Sequence, residues 1–509
     1  MLVPVLLFSL AAACDLLVQR TEPLPLFNQL ALVARGVRFG LFVGAFAFFF
    51  GRRMRLVYLP LWAWFSIVLL LEAVANYNFS TVLDGCWLMI LAASSWQEIV
   101  EFLRLLSPSL LWASGALSLV ALMGGLWGLS RKIYPRVSWR LVLLGVVLTL
   151  PFVLYDLGPR TRLGAFDALI AFHLPLDTAR HHRIYGKVAE AALHPKFPSR
   201  LQLAVERQVA PLGLVVVGES ATRSNWGLYG YERPTTPRLV DLRNELVVFS
   251  KPTSTHDYTS MALTTTLTEA TTEDTGDVRC MFTQKCAAVG YVCSLFSAQT
   301  RWGRWEGVEK FLFSGCSEKW YLNESRGGGE ADPGFDDALV SPVLDRLRQA
   351  AKTEPTIVFA HLMGSHFEPS SHYPAARAIF PRYSGDYPPG MDETSKPWNI
   401  TACNHYDNSI AFTDSVLGDL LEGLRALKRS AYLVYFSDHG ESPRGRTWRD
   451  SQDPDLLKVP LVVWFSPEYR AQFPQVVADI RKRAASPIRL DDLQSVLLKL
   501  ARIDQGPWN

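Results

Sequence analysis

Charge is scarce in this chain. Asp, Glu, Lys and Arg make up 19% of its 509 residues, against roughly 25% in ordinary soluble domains. No excess of one sign compensates. The 51 basic and 48 acidic residues leave a formal charge of +3, too little to point to a nucleic-acid partner. Internal repeats and long low-complexity runs are missing too. Cysteine is sparse, with seven residues, and their spacing is not that of a zinc finger. What fills the chain is apolar: 49% of residues are hydrophobic and 12% aromatic, which excludes a disordered polymer. The length suggests two or three domains.

The apolar residues are concentrated at the front. Five runs stand out: Leu2 to Val18, Leu30 to Phe50, Val57 to Val74, Leu110 to Leu129 and Leu141 to Leu154. A membrane-crossing helix needs about 17–25 predominantly apolar residues. The third and fourth runs meet that requirement directly, and the others do so with tilt and snorkelling of Arg35 and Arg38. Arg52, Arg53 and Arg55 follow the second run, and Arg131, Lys132, Arg136 and Arg140 follow the fourth. Basic loops stay on the cytoplasmic side, so the predicted five crossings place everything after Asp156 outside. The first run lacks a positive start and is followed by further spans, so it reads as a span and not as a cleaved leader. The expected organisation is an all-α transmembrane domain over 1–156, interfacial linker helices over 157–210, and an external catalytic domain over 211–509. Five cysteines fall in the external part: Cys280, Cys286, Cys293, Cys316 and Cys403. An oxidising compartment permits disulfides, and the expected pairs are Cys280 with Cys286 and Cys293 with Cys316.

From Leu212 the pattern changes. Short β-branched runs at Leu212 to Val217, Tyr291 to Phe296, Thr356 to Leu362, Ala431 to Phe436 and Val459 to Phe465 alternate with helix-like stretches. Buried short strands between helices predict an α/β domain with a mainly parallel sheet sandwiched by helices. Such sheets bind ligands beyond the carboxyl ends of their strands. Three strand ends carry metal-type residues: Glu219, His366, and the pair Asp438 and His439. Carboxylate and neutral imidazole suit zinc or manganese. The structural alternatives are a plain turn at Asp438 to Gly440 and a helix cap at Glu219. Thr259 opens a helical pattern with Leu263 and Leu267. Its hydroxyl would sit at a helix N-terminus, where backbone N–H groups favour phosphate, although an ordinary N-cap explains the same spacing.

Taken together in order, these segments resemble the membrane-anchored phosphoethanolamine transferases of Gram-negative bacteria. That family lies in the alkaline phosphatase/sulfatase superfamily, and the nearer likeness is to its lipopolysaccharide-core branch. The matching segments are Val217 to Ser220, Asn225 to Tyr231, Arg233 with Thr236 and Pro237, Tyr258 and Thr259, His361 to His366, Tyr406 to Asn408, and Ser437 to Glu441. The resemblance implies Zn2+ held by Glu219, Thr259, Asp438 and His439, with Thr259 the nucleophile. It implies phosphatidylethanolamine as donor, a covalent phosphothreonine intermediate, and an envelope acceptor such as lipid A or the lipopolysaccharide core. His366, Asn225, Arg446 and Arg449 would bind substrate or phosphate. The protein would be a monomer of the bacterial inner membrane with its catalytic domain in the periplasm. Alternatives are phosphoglycerol transfer, an acceptor among periplasmic glucans, or a catalytically altered envelope-binding member. A sulfate-ester hydrolase would need a Cys or Ser in a C/S-x-P-x-R setting, and none surrounds Thr259.

One departure stands out. Relatives of this kind place a further histidine after the Asp-His-Gly triplet, whereas no histidine follows His439 here. Arg444, Arg446 and Arg449 occupy that stretch, and arginine can clamp a phosphate without a metal. Replacing each of these three by Ala is expected to lower turnover in at least one variant. Equal turnover in all three would remove arginine from the phosphate site.

Overall fold

The computed structural model describes residues 170–508, apart from 300–307, 323–333, 352–353, 382–387, 390–396 and 444–452. The five expected spans and Arg444, Arg446 and Arg449 lie outside the described residues. Among the described residues no helix is long and apolar enough to cross a membrane. The chain divides into two compact units, Met1–His182 and Arg183–Asn509.

Eleven strands and ten α-helices are described. Helix α1 (Ile170–Leu193) leads into β1 (Leu201–Leu203) and β2 (Leu212–Gly218). Then come α2 (Pro237–Asp241), β3 (Leu246–Val248), β4 (Pro252–Thr253), α3 (Thr259–Leu267), α4 (Phe282–Ala288) and β5 (Val292–Ser297). They are followed by α5 (Glu309–Leu312), β6 (Glu318–Tyr321), α6 (Val340–Gln349), β7 (Thr356–His361), α7 (Pro397–Ala426) and β8 (Ala431–Ser437). The chain closes with β9 (Leu461–Phe465), α8 (Pro467–Gln472), α9 (Pro474–Ala484), β10 (Ile488–Arg489), α10 (Leu493–Leu500) and β11 (Ile503–Gln505).

Seven strands form one sheet in the order β3-β9-β8-β2-β7-β5-β6. The five from β8 to β6 run parallel, while β9 and β3 add an antiparallel edge. The sheet is thus mainly parallel, as the sequence predicted, and the antiparallel edge makes it mixed. The two residue parities of β2 explain why its whole run is apolar. Val215 and Val217 enter one core with Phe359 and Val434, covered by Leu263 and Leu267 of α3 and Leu493 and Leu497 of α10. Leu214 and Val216 enter a second core against Val343 and Leu347 of α6 and Ile410 and Leu417 of α7. Successive strand residues point to opposite faces, so a strand covered on both sides must be apolar at every position. β1 pairs antiparallel with β11, tying the start of this unit to its end.

The five described cysteines are buried free thiols, which corrects the expected pairing. Cys280 instead lies 3.9 Å from Glu269 Oε1, and Cys293 neighbours both Cys286 and Cys316 within the core. Burial pushes the Cys280 thiol up to about 12.

A polar clamp on α7 holds the segment after β2. Tyr406 Oη donates to the Ser220 carbonyl at 2.7 Å and accepts from Thr222 N at 2.7 Å. The Asp407 carboxylate accepts from Asn225 Nδ2 (2.7 Å), Tyr231 Oη (2.9 Å) and an Arg233 guanidinium nitrogen (2.8 Å). Arg233 also stacks over the Phe380 ring at 4.7 Å. The pair Arg233 and Asp407 is buried. Removing one partner of a buried pair leaves an uncompensated charge and costs about 3–5 kcal/mol. Asp407→Ala is expected to destabilise the protein by that order in denaturant unfolding, and a loss below about 1 kcal/mol would show that the clamp is dispensable.

Candidate metal centre

The register of β2 and β8 builds the site. Gly218 lies opposite Ser437, and Asp438 N donates to the Gly218 carbonyl at 3.2 Å. The next residues on the two strands, Glu219 and Asp438, are thereby brought side by side. Both are buried, as is His439. Their ligand atoms all lie within 4.8 Å of one another. His439 Nε2 is 3.2 Å from Glu219 Oε1 and 3.6 Å from Asp438 Oδ2. Thr259 is the first residue of α3. Its Oγ1 donates toward the Glu219 carboxylate, 3.0 and 3.1 Å from the two oxygens, and is 3.5 Å from His439 Nε2.

Hydrogen bonds around the site fix these directions. His439 Nδ1 is 2.7 Å from the Gly440 carbonyl, which can only accept, so Nδ1 carries a proton. Nε2 then faces two carboxylates. Asp438 Oδ1 accepts from Ser220 N (3.1 Å) and His439 N (2.7 Å), while its Oδ2 is buried and accepts no hydrogen bond. The Ser220 backbone is strained, with φ at 56°. On the third strand end, Asp336 accepts from Met363 N (2.8 Å) and Gly364 N (2.9 Å), and Ser365 N donates to the Glu219 carbonyl at 3.0 Å. Gly364 has φ of 52°, and a Cβ there would come 2.9 Å from the Glu219 carbonyl oxygen. Only glycine fits without displacing Glu219.

The electrostatics follow from crowding acceptors in a dry place. Burial and the adjacent Glu219 charge push Asp438 up to about 7. Burial also acts to raise Glu219, but the hydrogen bond and charge of His439 outweigh it and hold its carboxyl below the usual range. A buried carboxylate oxygen without a donor, facing a second carboxylate and an imidazole, suits a cation. Two carboxylates, one imidazole and a hydroxyl match the oxygen and nitrogen donors of a zinc site. The residues present fit such an ion.

The structure thus brings Glu219, Thr259, Asp438 and His439 together. His366 is half-buried on the loop after β7, its ring 5.8 Å from that of His372. Asn225 is fully buried and bonded to Asp407. Sequence reasoning missed the parts played by Asp336, Tyr406 and Asp407. Their hydrogen bonds to the site loops span between 27 and 186 positions of sequence, and no local signal marks them; Tyr406 and Asp407 stood only as part of a motif.

The family model described as Sulfatase matches residues 211–503. Phosphoethanolamine transferase EptC of Escherichia coli K12 is 27% identical over 276 residues, 52% of this chain and 46% of that protein. The Kdo(2)-lipid A phosphoethanolamine 7''-transferase of Salmonella typhimurium is 27% identical over 285 residues, 53% of this chain and 47% of that protein. The chain therefore spans about half the length of the curated relatives it matches. Among solved structures, the integral membrane protein lipooligosaccharide phosphoethanolamine transferase A of Neisseria meningitidis superposes with a TM-score of 0.70 at 18% identity. That match covers 100% of this chain and 95% of that one. The periplasmic domain of Escherichia coli EptC in complex with Zn gives 0.54 at 22% identity, covering 62% of this chain and 88% of that one.

A cation at this centre must compete with the proton on Asp438. Zinc affinity of the purified protein is expected to weaken about tenfold per unit as pH falls below about 7, with about one proton released per ion bound there. Titration calorimetry at several pH values reads both quantities, and a constant affinity from pH 5 to 8 would contradict the geometry.

Proposed function

The chain belongs to the sulfatase family, and from that premise we propose that it transfers phosphoethanolamine from phosphatidylethanolamine to a cell-envelope glycolipid, lipid A or the lipopolysaccharide core. The observation that supports this best is the Thr259 hydroxyl at a helix N-terminus, 3.0 Å from Glu219 within a buried acceptor cluster. A hydroxyl side chain aimed into the cluster supplies a covalent carrier for the phosphoryl group.

Glu219, Asp438, His439 and Thr259 would hold Zn2+. When bound, the ion supplies positive charge that favours the ionised hydroxyl and offsets charge on phosphoryl oxygens. The hydroxyl proton of Thr259 points at Glu219 Oε1. Thr259 Oγ1 forms a bond to phosphorus as the bond from phosphorus to the glycerol oxygen breaks, and diacylglycerol leaves with a proton. The N–H groups of the first turn of α3, which have no acceptor within the helix, would donate to the phosphoryl oxygens. An acceptor oxygen then forms a bond to phosphorus as the bond from phosphorus to Thr259 Oγ1 breaks, and Thr259 regains its proton. His366, with Arg446 and Arg449, would hold the phosphate. Asn225 would act through Asp407 by fixing the segment that follows Glu219.

The setting fits a membrane enzyme. Donor and acceptor are both lipids, and confinement beside them raises their effective concentration. The reading places the protein as a monomer in the bacterial inner membrane, with the catalytic unit in the periplasm.

Mass spectrometry of lipid A, core and glucan fractions tests this. Cells with the wild-type protein should show a phosphoethanolamine-sized addition in one fraction, and Thr259→Ala should abolish it. No addition in any fraction would overturn the transferase reading, and an addition retained in Thr259→Ala would overturn the nucleophile.

A further inference from the structure

Helix α3 is a poor helix by composition. Its sequence, Thr259 to Leu267, contains four threonines, residues of low helix propensity. Within and just beyond it, the hydroxyls of Thr264, Thr265, Thr266 and Thr268 bond back to carbonyls three or four residues earlier, a pattern that weakens or bends helices. The placement of its first turn must therefore come from contacts outside the helix. Thr259, at the first position, is held by Glu219 on one side. Ser260, at the second, is held from elsewhere: Tyr185 Oη donates to Ser260 Oγ at 2.8 Å.

Tyr185 stands on a firmly seated element. Ile184, Val188 and Ala191 of α1 are buried, spaced as one face of a helix. The same stretch is bonded at three further points. Lys187 Nζ donates to the Gly276 carbonyl (3.1 Å), Gln284 Nε2 donates to the Ala192 carbonyl (2.8 Å), and Lys196 N donates to the Arg279 carbonyl (2.9 Å). Tyr185 itself packs against the core that α3 enters. The phenol thus transmits the position of a rigid helix to the residue beside the nucleophile.

We infer that Tyr185 is a positioning residue for Thr259. Through Ser260 it sets the rotation of the first turn of α3, and with it the alignment of Thr259 Oγ1 on Glu219. The inference deepens the reading of Thr259 as the nucleophile and rests on it. Small misplacements of a reacting atom cost turnover more than binding, so the effect belongs in kcat.

The test uses the full-length protein in lipid nanodiscs and phosphatidylethanolamine with a fluorescent acyl chain, following release of fluorescent diacylglycerol. Tyr185→Phe removes only the hydroxyl. It is expected to lower kcat about three- to tenfold, the range of one lost hydrogen bond, with KM within about twofold. Ser260→Ala should give the same drop, and the double variant no further drop. Unchanged kcat in both single variants, independent losses that multiply in the double variant, or a loss that merely tracks the folded fraction would each overturn the inference. Deuterium uptake over residues 258–267 is read in parallel. Tyr185→Phe should raise it with the melting temperature unchanged, and no rise overturns the inference whether or not the donor is turned over. Absent turnover in the wild type, with the rise in uptake present, would sink the transferase reading and leave the placement of α3 by Tyr185 standing.

Discussion

Everything at this site depends on one electrostatic conflict. Glu219, Asp438 and His439 crowd their ligand atoms together inside the protein, where water cannot screen them. The Gly440 carbonyl binds the Nδ1 proton of His439, so the ring nitrogen facing the carboxylates has no proton of its own to offer unless the ring is charged. Asp438 Oδ2 is left without a donor. A cation resolves the conflict, and a proton resolves part of it, which is why Asp438 rises to about 7. The same crowding gives the Thr259 hydroxyl a strong acceptor at hydrogen-bond distance.

Holding such groups together requires a rigid frame, and the fold provides it from three sides. Parallel pairing of β2 with β8 and β7 places three strand ends at one edge of the sheet. Left-handed backbone marks the turns leaving two of them, at Ser220 and Gly364, and it is strained at Ser220. Backbone strain of this kind persists only where surroundings over-determine it. Tyr406 and Asp407 from α7 secure the segment after Glu219, and Asp336 secures the loop after β7. None of these supporting residues needs to touch a substrate to decide where Glu219 sits.

Much of the site was legible in the sequence because strand ends announce themselves. An apolar run that stops at Glu219, and another that stops at Asp438 and His439, are local signals, as is the helical spacing after Thr259. The α/β character was equally legible, since runs buried on both faces have no polar alternation. The antiparallel edge of β9 and β3 was not, because a short apolar strand reads alike in either direction. The bond of Asn225 to Asp407 was not legible either, because it joins residues 182 positions apart. The cysteines misled as well: Cys280 meets Glu269 and not Cys286, a contact set by the fold and not by spacing in sequence.

By itself, the sequence determined the apolar front of the chain, the strand-and-helix alternation after Leu212, and the four residue types that a zinc-dependent phosphoryl transfer would use. Those are properties of single residues and of short periodic runs. Only the tertiary structure decided that Glu219, Thr259, Asp438 and His439 meet, that Asp438 keeps an unsatisfied oxygen, and that Tyr185 reaches Ser260. Each of these rests on a distance between residues 40 to 220 positions apart or on burial. Such quantities depend on strand register and helix packing, which no local pattern encodes.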